Sequence, residues 1–296
     1  MLAASYQLLF PKTAHAQTVP LQSLRITPII NDLKLTPGKT TTFDLTVQNL
    51  SKDPVGIHAE ISGYDQIGEK PLYEQKPSAI INWTHLSRQD LLLSPHSSQS
   101  ITVTISPPAQ LSPSGYYETI FLTPIVNQEF IPGSPIILSR VGTLILATAG
   151  TPNYDDLAKK VSITNITPSH TIVNAFPKTI SFTVSNNYFT HVDAKPFLTI
   201  TPLFGKSQTT LLPDKHVLPG SERIWQYEPQ SMMPNIFYHM HVAVSVGNGK
   251  QVVADTWFIA LPYKPLLLVA IFAAVPYFGV LKRKRLKKFL HILLRG

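Results

Sequence analysis

Prolines divide this chain into short segments in which apolar and polar residues alternate. The sequence contains 26 prolines, and only 14% of its residues are charged. Because proline lacks a backbone donor and breaks helices, regular structure is confined to the stretches between prolines. In residues 40–48, for example, Phe43, Leu45 and Val47 fall on one face of an extended chain. This period-two pattern predicts β-strands rather than helices.

The same pattern recurs along the chain and predicts an all-β fold. An immunoglobulin-like β-sandwich takes about 100 residues and is built from several short strands at regular spacing. Residues 17–261 are therefore predicted to form two tandem immunoglobulin-like β-sandwich domains. The alternating segments are residues 40–48, 55–64, 100–106, 116–126, 141–148, 161–166, 179–185, 197–203, 223–227, 238–246 and 251–259.

A faint internal repeat supports two domains. Residues 35–49 resemble residues 176–187, since in both a proline leads into an alternating strand that ends at asparagine, and residues 93–101 resemble residues 218–224. The best boundary is the small, polar stretch at residues 149–156. It gives a first domain of residues 17–149 and a second of residues 150–261, although the strand at residues 139–148 could close the first domain or open the second.

The C-terminal part is typical of a membrane anchor. Residues 265–281 carry no charge, and KRKRLKK follows at residues 282–288. An apolar stretch of this kind predicts one transmembrane helix at residues 262–281, and the basic tail, residues 282–296, is expected on the cytoplasmic side. A buried core helix is the alternative, but seven Lys and Arg residues among the last fifteen argue against it.

The N-terminus agrees with that topology. Residues 1–10 are largely apolar, and Ala14-His15-Ala16 has the A-x-A form of a secretory cleavage site. Residues 1–16 are therefore predicted to be a signal peptide. Together the two ends predict a single-pass protein of the cell membrane with an extracellular ectodomain and a cytoplasmic C-terminus.

The distribution of charge excludes nucleic-acid binding, although the formal net charge is +8. All 17 acidic residues lie between Asp32 and Asp255, whereas nine of the 25 Lys and Arg residues are at position 12 or from Lys264 onward. The predicted ectodomain, with the remaining 16 basic residues, is close to neutral. The chain also has no cysteine, which excludes disulfides and thiolate metal sites and favours a bacterial or archaeal exported protein.

The motifs predict no enzyme. The sequence has no G-x-S-x-G around Ser114 or Ser221, no phosphate loop and no H-E-x-x-H. His239 and His241 share a face of a predicted strand and could hold a metal together, but no carboxylate is expected on that face. Asp155-Asp156 is expected to be a polar linker rather than a calcium site. We therefore assign no catalytic, cofactor-binding or metal-binding residues and no cofactor.

Aromatic residues have expected structural roles. Trp83 and Trp225 are expected in the core, and Trp257 is expected near the membrane interface. Tyr116 and Tyr117 lie on opposite faces of their strand, so one of the two rings is expected to face outward.

Two stretches of the sequence carry a family resemblance. Residues 26–65 and 80–124 resemble the membrane-anchored WxL-interacting proteins of Gram-positive bacteria, and the pattern P-G-x-x-x-x-F-x-L-x-V-x-N resembles PapD-like immunoglobulin folds of surface and pilus proteins. The resemblance covers residues 24–148 and, in outline, 157–261. It implies peptidoglycan binding by the first domain, partner-protein binding by the second and a C-terminal anchor, and it identifies no ligand-contacting residue.

Two functions follow as hypotheses. The first is a non-enzymatic, membrane-anchored cell-surface protein that binds an envelope polymer such as peptidoglycan or a partner surface protein. The alternative is a PapD-like accessory or assembly factor that pairs β-strands with secreted surface subunits.

The predicted topology is testable by protease protection. External protease added to wall-stripped cells is expected to digest residues 17–261 and to leave a fragment of a few kilodaltons that contains the anchor and tail, detected by an antibody against the C-terminus. Survival of the ectodomain with loss of the tail would invert the predicted topology.

Overall fold

The computed structural model describes residues 24–67, 70–73, 78–125, 140–229 and 236–261, together with residues 271, 272 and 274. Regular structure in these ranges is mostly β-strand. A 3-10 helix spans Ala79–Trp83 and an α-helix, α1, spans Tyr154–Lys160. The strands are β1 (Leu24–Thr27), β2 (Ile30–Leu35), β3 (Thr41–Asn49), β4 (Val55–Ile67), β5 (Lys70–Tyr73), β6 (Thr84–Leu86), β7 (Asp90–Leu93), β8 (Ser98–Ile105), β9 (Ser114–Ile125), β10 (Val141–Ala149), β11 (Val161–Thr167), β12 (Thr171–Val173), β13 (Ile180–Asn186), β14 (Val192–Pro202), β15 (Gln208–Leu211), β16 (Lys215–Val217), β17 (Ser221–Tyr227), β18 (Phe237–Gly247) and β19 (Lys250–Ala260).

These elements form two compact units. Among the described residues, the first unit comprises residues 24–152 together with 189–191, and the second comprises residues 153–188 and those from Val192 onward. The strand predicted at residues 139–148 corresponds to β10, which pairs with β9 and β2 and so completes the first unit.

The first unit is a β-sandwich of two sheets. The smaller sheet has the order β1-β3-β8-β6, and the larger has the order β2-β10-β9-β4-β5, with β7 also paired with β4. The core includes Leu45, Ile101, Ile120 and Ile145, each 0% exposed. Thr46, next to Leu45, is exposed, so the alternation read from the sequence places the correct face of β3 inward.

The second unit is also a β-sandwich, with an aromatic core. Its smaller sheet has the order β11-β13-β17, and its larger sheet has the order β12-β19-β18-β14-β15, with β16 paired with β14. Trp225 stacks on Phe182 with ring centroids 5.8 Å apart, and its indole N–H donates to the Pro213 carbonyl at 2.8 Å. The predicted all-β, immunoglobulin-like architecture and the core position of Trp225 are confirmed.

Both units pass the chain between their sheets in the same way. The edge strand of the smaller sheet ends in an Ile-Thr-Pro segment, residues 26–28 or 166–168, in which the peptide bond before the proline is cis. The next strand then joins the larger sheet and runs parallel to the strand of that sheet that comes last in the chain: β2 lies beside β10, and β12 lies beside β19. These two parallel edge strands were not predicted, because each is short and lacks a clear alternation.

The repeated asparagine has a structural role in each unit. Asn49, 0% exposed, ends β3, and its Nδ2 contacts the Leu93 and Ser94 carbonyls at 3.3 and 3.2 Å while its Oδ1 accepts from the Ser51 backbone N–H at 2.9 Å. Because buried polar groups need hydrogen-bond partners, this carboxamide joins the end of β3 to the loop that precedes β8.

In the second unit, Asn186, also 0% exposed, ends β13 in the same way. Its Nδ2 donates to the Val217 carbonyl at 2.8 Å, and its Oδ1 accepts from the Tyr188 backbone N–H at 2.9 Å. The Gly220 N–H also donates to the Asn186 carbonyl at 2.7 Å. In each unit the segment around the asparagine therefore contacts the second repeated segment, residues 93–101 or 218–224.

The boundary stretch differs from the prediction. Residues 149–156 were expected to be a polar linker, but α1 begins within them. Asn153 caps this helix, since its side chain accepts from the backbone N–H groups of Asp155 at 3.0 Å and Asp156 at 3.4 Å. A cap of this kind satisfies backbone donors that have no partner inside the helix.

In the part of the chain that the structure describes, no helix is long and apolar enough to cross a bilayer. The signal peptide predicted at residues 1–16 and the tail predicted at residues 282–296 lie outside that part, as does the segment at residues 262–281 apart from residues 271, 272 and 274.

Adjacent asparagines test the structural role of the repeat. Asn186→Ala removes the side chain that donates to the Val217 carbonyl and accepts from the Tyr188 N–H. Each backbone group left without its hydrogen-bond partner costs about 1–3 kcal/mol, so we expect the free energy of unfolding to fall by about 2–5 kcal/mol. Asn187→Ala is the matched control, because this neighbouring side chain is exposed. Equal shifts of the denaturant midpoint in the two variants would contradict the role assigned to Asn186.

A buried carboxyl group lies in the core of the first unit. Glu118 on β9 is 0% exposed, and Thr84 Oγ1 donates to its Oε1 at 2.8 Å, whereas its Oε2 has no hydrogen-bond partner among the residues that the structure describes. Burial disfavours the charged form and raises the pKa of Glu118 to about 7, although the Thr84 hydrogen bond opposes the rise.

This pKa predicts a pH-dependent stability. The folded-state pKa of Glu118 is above the value of 4.5 for a free carboxyl group, so its stabilising contribution is complete below pH 4.5 and is lost as the pH rises through about 7. Denaturant titrations should therefore give about 3 kcal/mol more loss between pH 4.5 and pH 8 in the wild type than in Glu118→Gln. The variant retains an acceptor for Thr84, so parallel pH profiles would disprove the assignment.

Candidate functional site

The two histidines singled out in the sequence lie on the outer face of the larger sheet of the second unit. His239 and His241, on β18, have partly exposed side chains on that face. The prediction that no carboxylate shares their face is wrong. Asp255 stands directly opposite His241 on β19, and its Oδ1 is 2.8 Å from His241 Nδ1 and 3.5 Å from His239 Nε2. A carboxylate thus bridges the two imidazoles.

A β-bulge in the β18–β19 hairpin brings the carboxylate to this face. The turn residues Asn248 and Gly249 both have positive φ, 48° and 71°, as in the type I′ turns of two-residue hairpins. Gly247 pairs with Lys250, but the register shifts so that Ser245 pairs with Gln251. Because one extra residue in a strand exchanges the faces of all the residues beyond it, His241 aligns with Asp255 instead of Thr256.

Hydroxyl groups flank the imidazoles on the next strand. Thr199 and Thr201 of β14 pair with His241 and His239 respectively. Their side-chain oxygens are within 2.9 Å of Thr209 Oγ1 and 3.0 Å of Ser207 Oγ. The centre of the outer face is therefore polar, and on β14 its polar groups are hydroxyls.

Aromatic rings lie beside the histidines. Trp257 of β19 pairs with His239, stacks against Phe237 with ring centroids 5.9 Å apart and meets the edge of the His170 ring at 5.4 Å. Trp257 is therefore part of a surface aromatic group on the sheet. Its predicted position near a membrane interface stays a prediction.

Two apolar rows border the polar centre. One crosses the sheet through directly paired residues, and its ends are Val253, 54% exposed, and Leu211, 62% exposed. The other lies beyond Trp257 and ends in Ile172, 60% exposed, and Leu203, 57% exposed. The full rows are Val253, Ala243, Phe197 and Leu211 on one side and Ile172, Ile259, Phe237 and Leu203 on the other.

The corresponding face of the first unit is partly covered. Tyr117, Phe121 and Leu146 point away from the sandwich core but are 9%, 6% and 0% exposed. The Arg140 guanidinium lies 3.8 Å from the centroid of the Phe121 ring. Leu92 and Ile125, which both pair with Gly56 at one end of this face, are 70% and 46% exposed. Both larger sheets therefore carry exposed apolar side chains on their outer faces, and in the second unit these form two rows beside the imidazoles.

The tyrosine pair is only partly as predicted. Tyr116 packs against Trp83, with ring centroids 5.2 Å apart, and both border the core. Tyr117 faces away from the core as expected but is covered, because residues 189–191 belong to the first unit and its hydroxyl accepts from the His191 backbone N–H at 2.8 Å. Burial raises the pKa of Tyr117.

Other residues considered in the sequence have structural partners. Ser114 Oγ and Ser221 Oγ donate to backbone carbonyls at 3.3 and 2.8 Å. Asp155, in the first turn of α1, pairs with Lys250 at 2.6 Å, and that hydrogen bond lowers the pKa of the carboxyl group. Asp156 pairs with Lys159 at 3.2 Å within the same helix.

Comparisons with known proteins concern the fold. No family model matches the sequence, and a comparison with curated proteins found no match. The class 5 fimbriae chaperone CfaA is similar over 79% of this chain and 99% of its own, with 13% identity and a TM-score of 0.42. The chaperone–tip adhesion subunit complex CsuC–CsuE of Acinetobacter baumannii matches over 79% and 97%, with 12% identity and a TM-score of 0.42. A Salmonella enterica structure of the SafA pilin with the SafB chaperone matches over 80% and 98%, with 11% identity and a TM-score of 0.42.

Proposed function

We propose that this chain is a non-enzymatic binding protein of the cell envelope whose partner is another surface protein. The observation that carries this proposal is the outer face of the larger sheet in the second unit. Its two apolar rows end in side chains that are more than half exposed. Exposed apolar patches rimmed by polar groups mark interaction sites in soluble domains.

The composition of this face favours a protein partner. Interface centres are enriched in aromatic side chains and depleted in charge, with hydrogen-bonding groups around them. Here Trp257 and Phe237 supply the aromatic surface, and the threonines of β14 supply hydroxyl groups. An envelope polymer such as peptidoglycan, the other partner considered from the sequence, becomes an outcome that the experiment below separates.

A second candidate function is assembly of secreted subunits by β-strand pairing, and β2 favours it. This strand is at the edge of the larger sheet of the first unit. The Leu144 N–H donates to the Ile29 carbonyl at 2.9 Å, and bonding residues alternate along a parallel ladder. Asp32 and Lys34 therefore turn their backbone groups toward the side of β2 that has no neighbouring strand among the described residues, where another chain could add a strand.

Location at the membrane is part of the proposal. The uncharged segment at residues 265–281 and the basic residues after it support a single-pass anchor, and the A-x-A site supports export. An anchored chain would hold both units outside the cell, close to other surface proteins.

The two binding modes are separable with variants of the full chain. Leu211→Glu combined with Val253→Glu charges one apolar row of the outer face, and both side chains are exposed, so the fold should persist. Lys34→Pro removes a backbone donor from the open edge of β2, and edge positions tolerate proline. Tagged variants are used to capture partners from the native envelope, and the captured proteins are identified by mass spectrometry.

Matched controls decide the interpretation. Leu92→Glu charges an apolar side chain on the first unit that is 70% exposed, and Lys34→Ala keeps the backbone donor. Loss of a stoichiometric partner only in the face variant supports the main proposal, and loss only in Lys34→Pro supports strand pairing. Pelleting of the purified chain with purified cell wall, without any protein partner, would instead support polymer binding and overturn both.

A further inference from the structure

We propose that His239, His241 and Asp255 form a binding site for a divalent transition-metal ion, with Zn²⁺ as the best-matched ion. Two imidazoles and one carboxylate are a donor set that zinc prefers in proteins. The proposal rests on the geometry of these three side chains and does not depend on the partner proposed above.

Two of the three separations between the donor atoms are close to those around a shared ion. Ligand bonds of about 2.0–2.1 Å in a tetrahedral site place neighbouring donor atoms about 3.3 Å apart. The two separations from Asp255 Oδ1, 2.8 Å to His241 Nδ1 and 3.5 Å to His239 Nε2, lie on either side of that value. The three donor atoms do not all lie within 4.8 Å of one another, so the two imidazole nitrogens must approach each other to share an ion. The imidazoles are 46% and 41% exposed, so their rings have room to turn toward an ion beside the carboxylate.

The strand scaffold supports such a site. His239 and His241 are two residues apart on a strand, so their side chains leave the same face of the sheet. The third donor comes from the adjacent strand through directly paired residues, so it is held by the backbone ladder. Three protein donors on an open face leave a fourth position for water or a ligand from another molecule, which is the arrangement of non-structural zinc sites.

A histidine–carboxylate pair on the first unit provides a matched control. His58 Nδ1 lies 2.7 Å from Asp90 Oδ1 on the first unit, and its side chain is 48% exposed. This pair offers one imidazole and one carboxylate with exposure close to that of the proposed site. It therefore measures how much zinc a surface His–Asp pair binds without the second imidazole.

Calorimetric titration of Zn²⁺ into the purified, tag-free full chain tests the proposal. We expect one site that is weakened roughly 10–100-fold or more in His239→Ala, His241→Ala and Asp255→Asn, because losing a ligand should cost at least as much as losing an outer-shell partner. His58→Ala should retain the wild-type affinity. Thermal unfolding of each variant without zinc confirms that the fold persists, and added zinc should raise the unfolding temperature of the wild type and of His58→Ala only.

Three results would overturn the proposal. They are no zinc binding by the wild type, unchanged binding in the His239→Ala/His241→Ala double variant, and an equal loss of affinity in His58→Ala and His239→Ala. The last result would mean that zinc associates with surface imidazoles in general. None of these readouts involves a partner protein, so the metal site and the proposed function fail or survive separately.

Discussion

A buried carboxamide at the end of one strand holds each unit together. Asn49 and Asn186 are fully buried, and each joins its strand to the end of another strand distant in sequence through side-chain bonds to backbone groups. A buried loop carbonyl without such a donor would lose its hydrogen bond to water and gain nothing in return. The same side chain also accepts from the backbone just after the strand, so one residue determines both where the strand ends and where the sheet meets the loop.

With the same strand plan, the two units expose different surfaces. In the first unit the outer face of the larger sheet buries Phe121 and Leu146 and exposes Leu92 and Ile125 at one end, whereas in the second unit two rows of apolar side chains end in exposed residues such as Val253 and Leu211. Burying exposed apolar surface is the main source of favourable free energy in association. The second unit therefore has surface left to bury against a partner, and its larger sheet is where we place the binding function.

The outer face also depends on one irregularity in an otherwise regular hairpin. The bulge near Val246 aligns Asp255 with His241 and Trp257 with His239. With an unbroken ladder from the turn, Asp255 would align with Val242 and point into the core, where an unpaired carboxylate is costly. The bulge thus keeps the carboxylate in solvent and at the same time assembles the two imidazoles, the carboxylate and the indole on one surface.

Local pattern was enough to predict the long strands, the all-β class and the core faces, as at Leu45, because side-chain direction alternates along any extended chain whatever its partners. The asparagine repeat was visible for the same reason. The short parallel strands β2 and β12, helix α1, the burial of Glu118 and the meeting of Asp255 with His241 were not predicted. Each of these depends on which segments become neighbours and in what register, and a one-residue shift reverses the face of every side chain beyond it. The sequence by itself therefore determined which residues point together along a strand, and only the tertiary structure decided which strands bring their residues to a common surface.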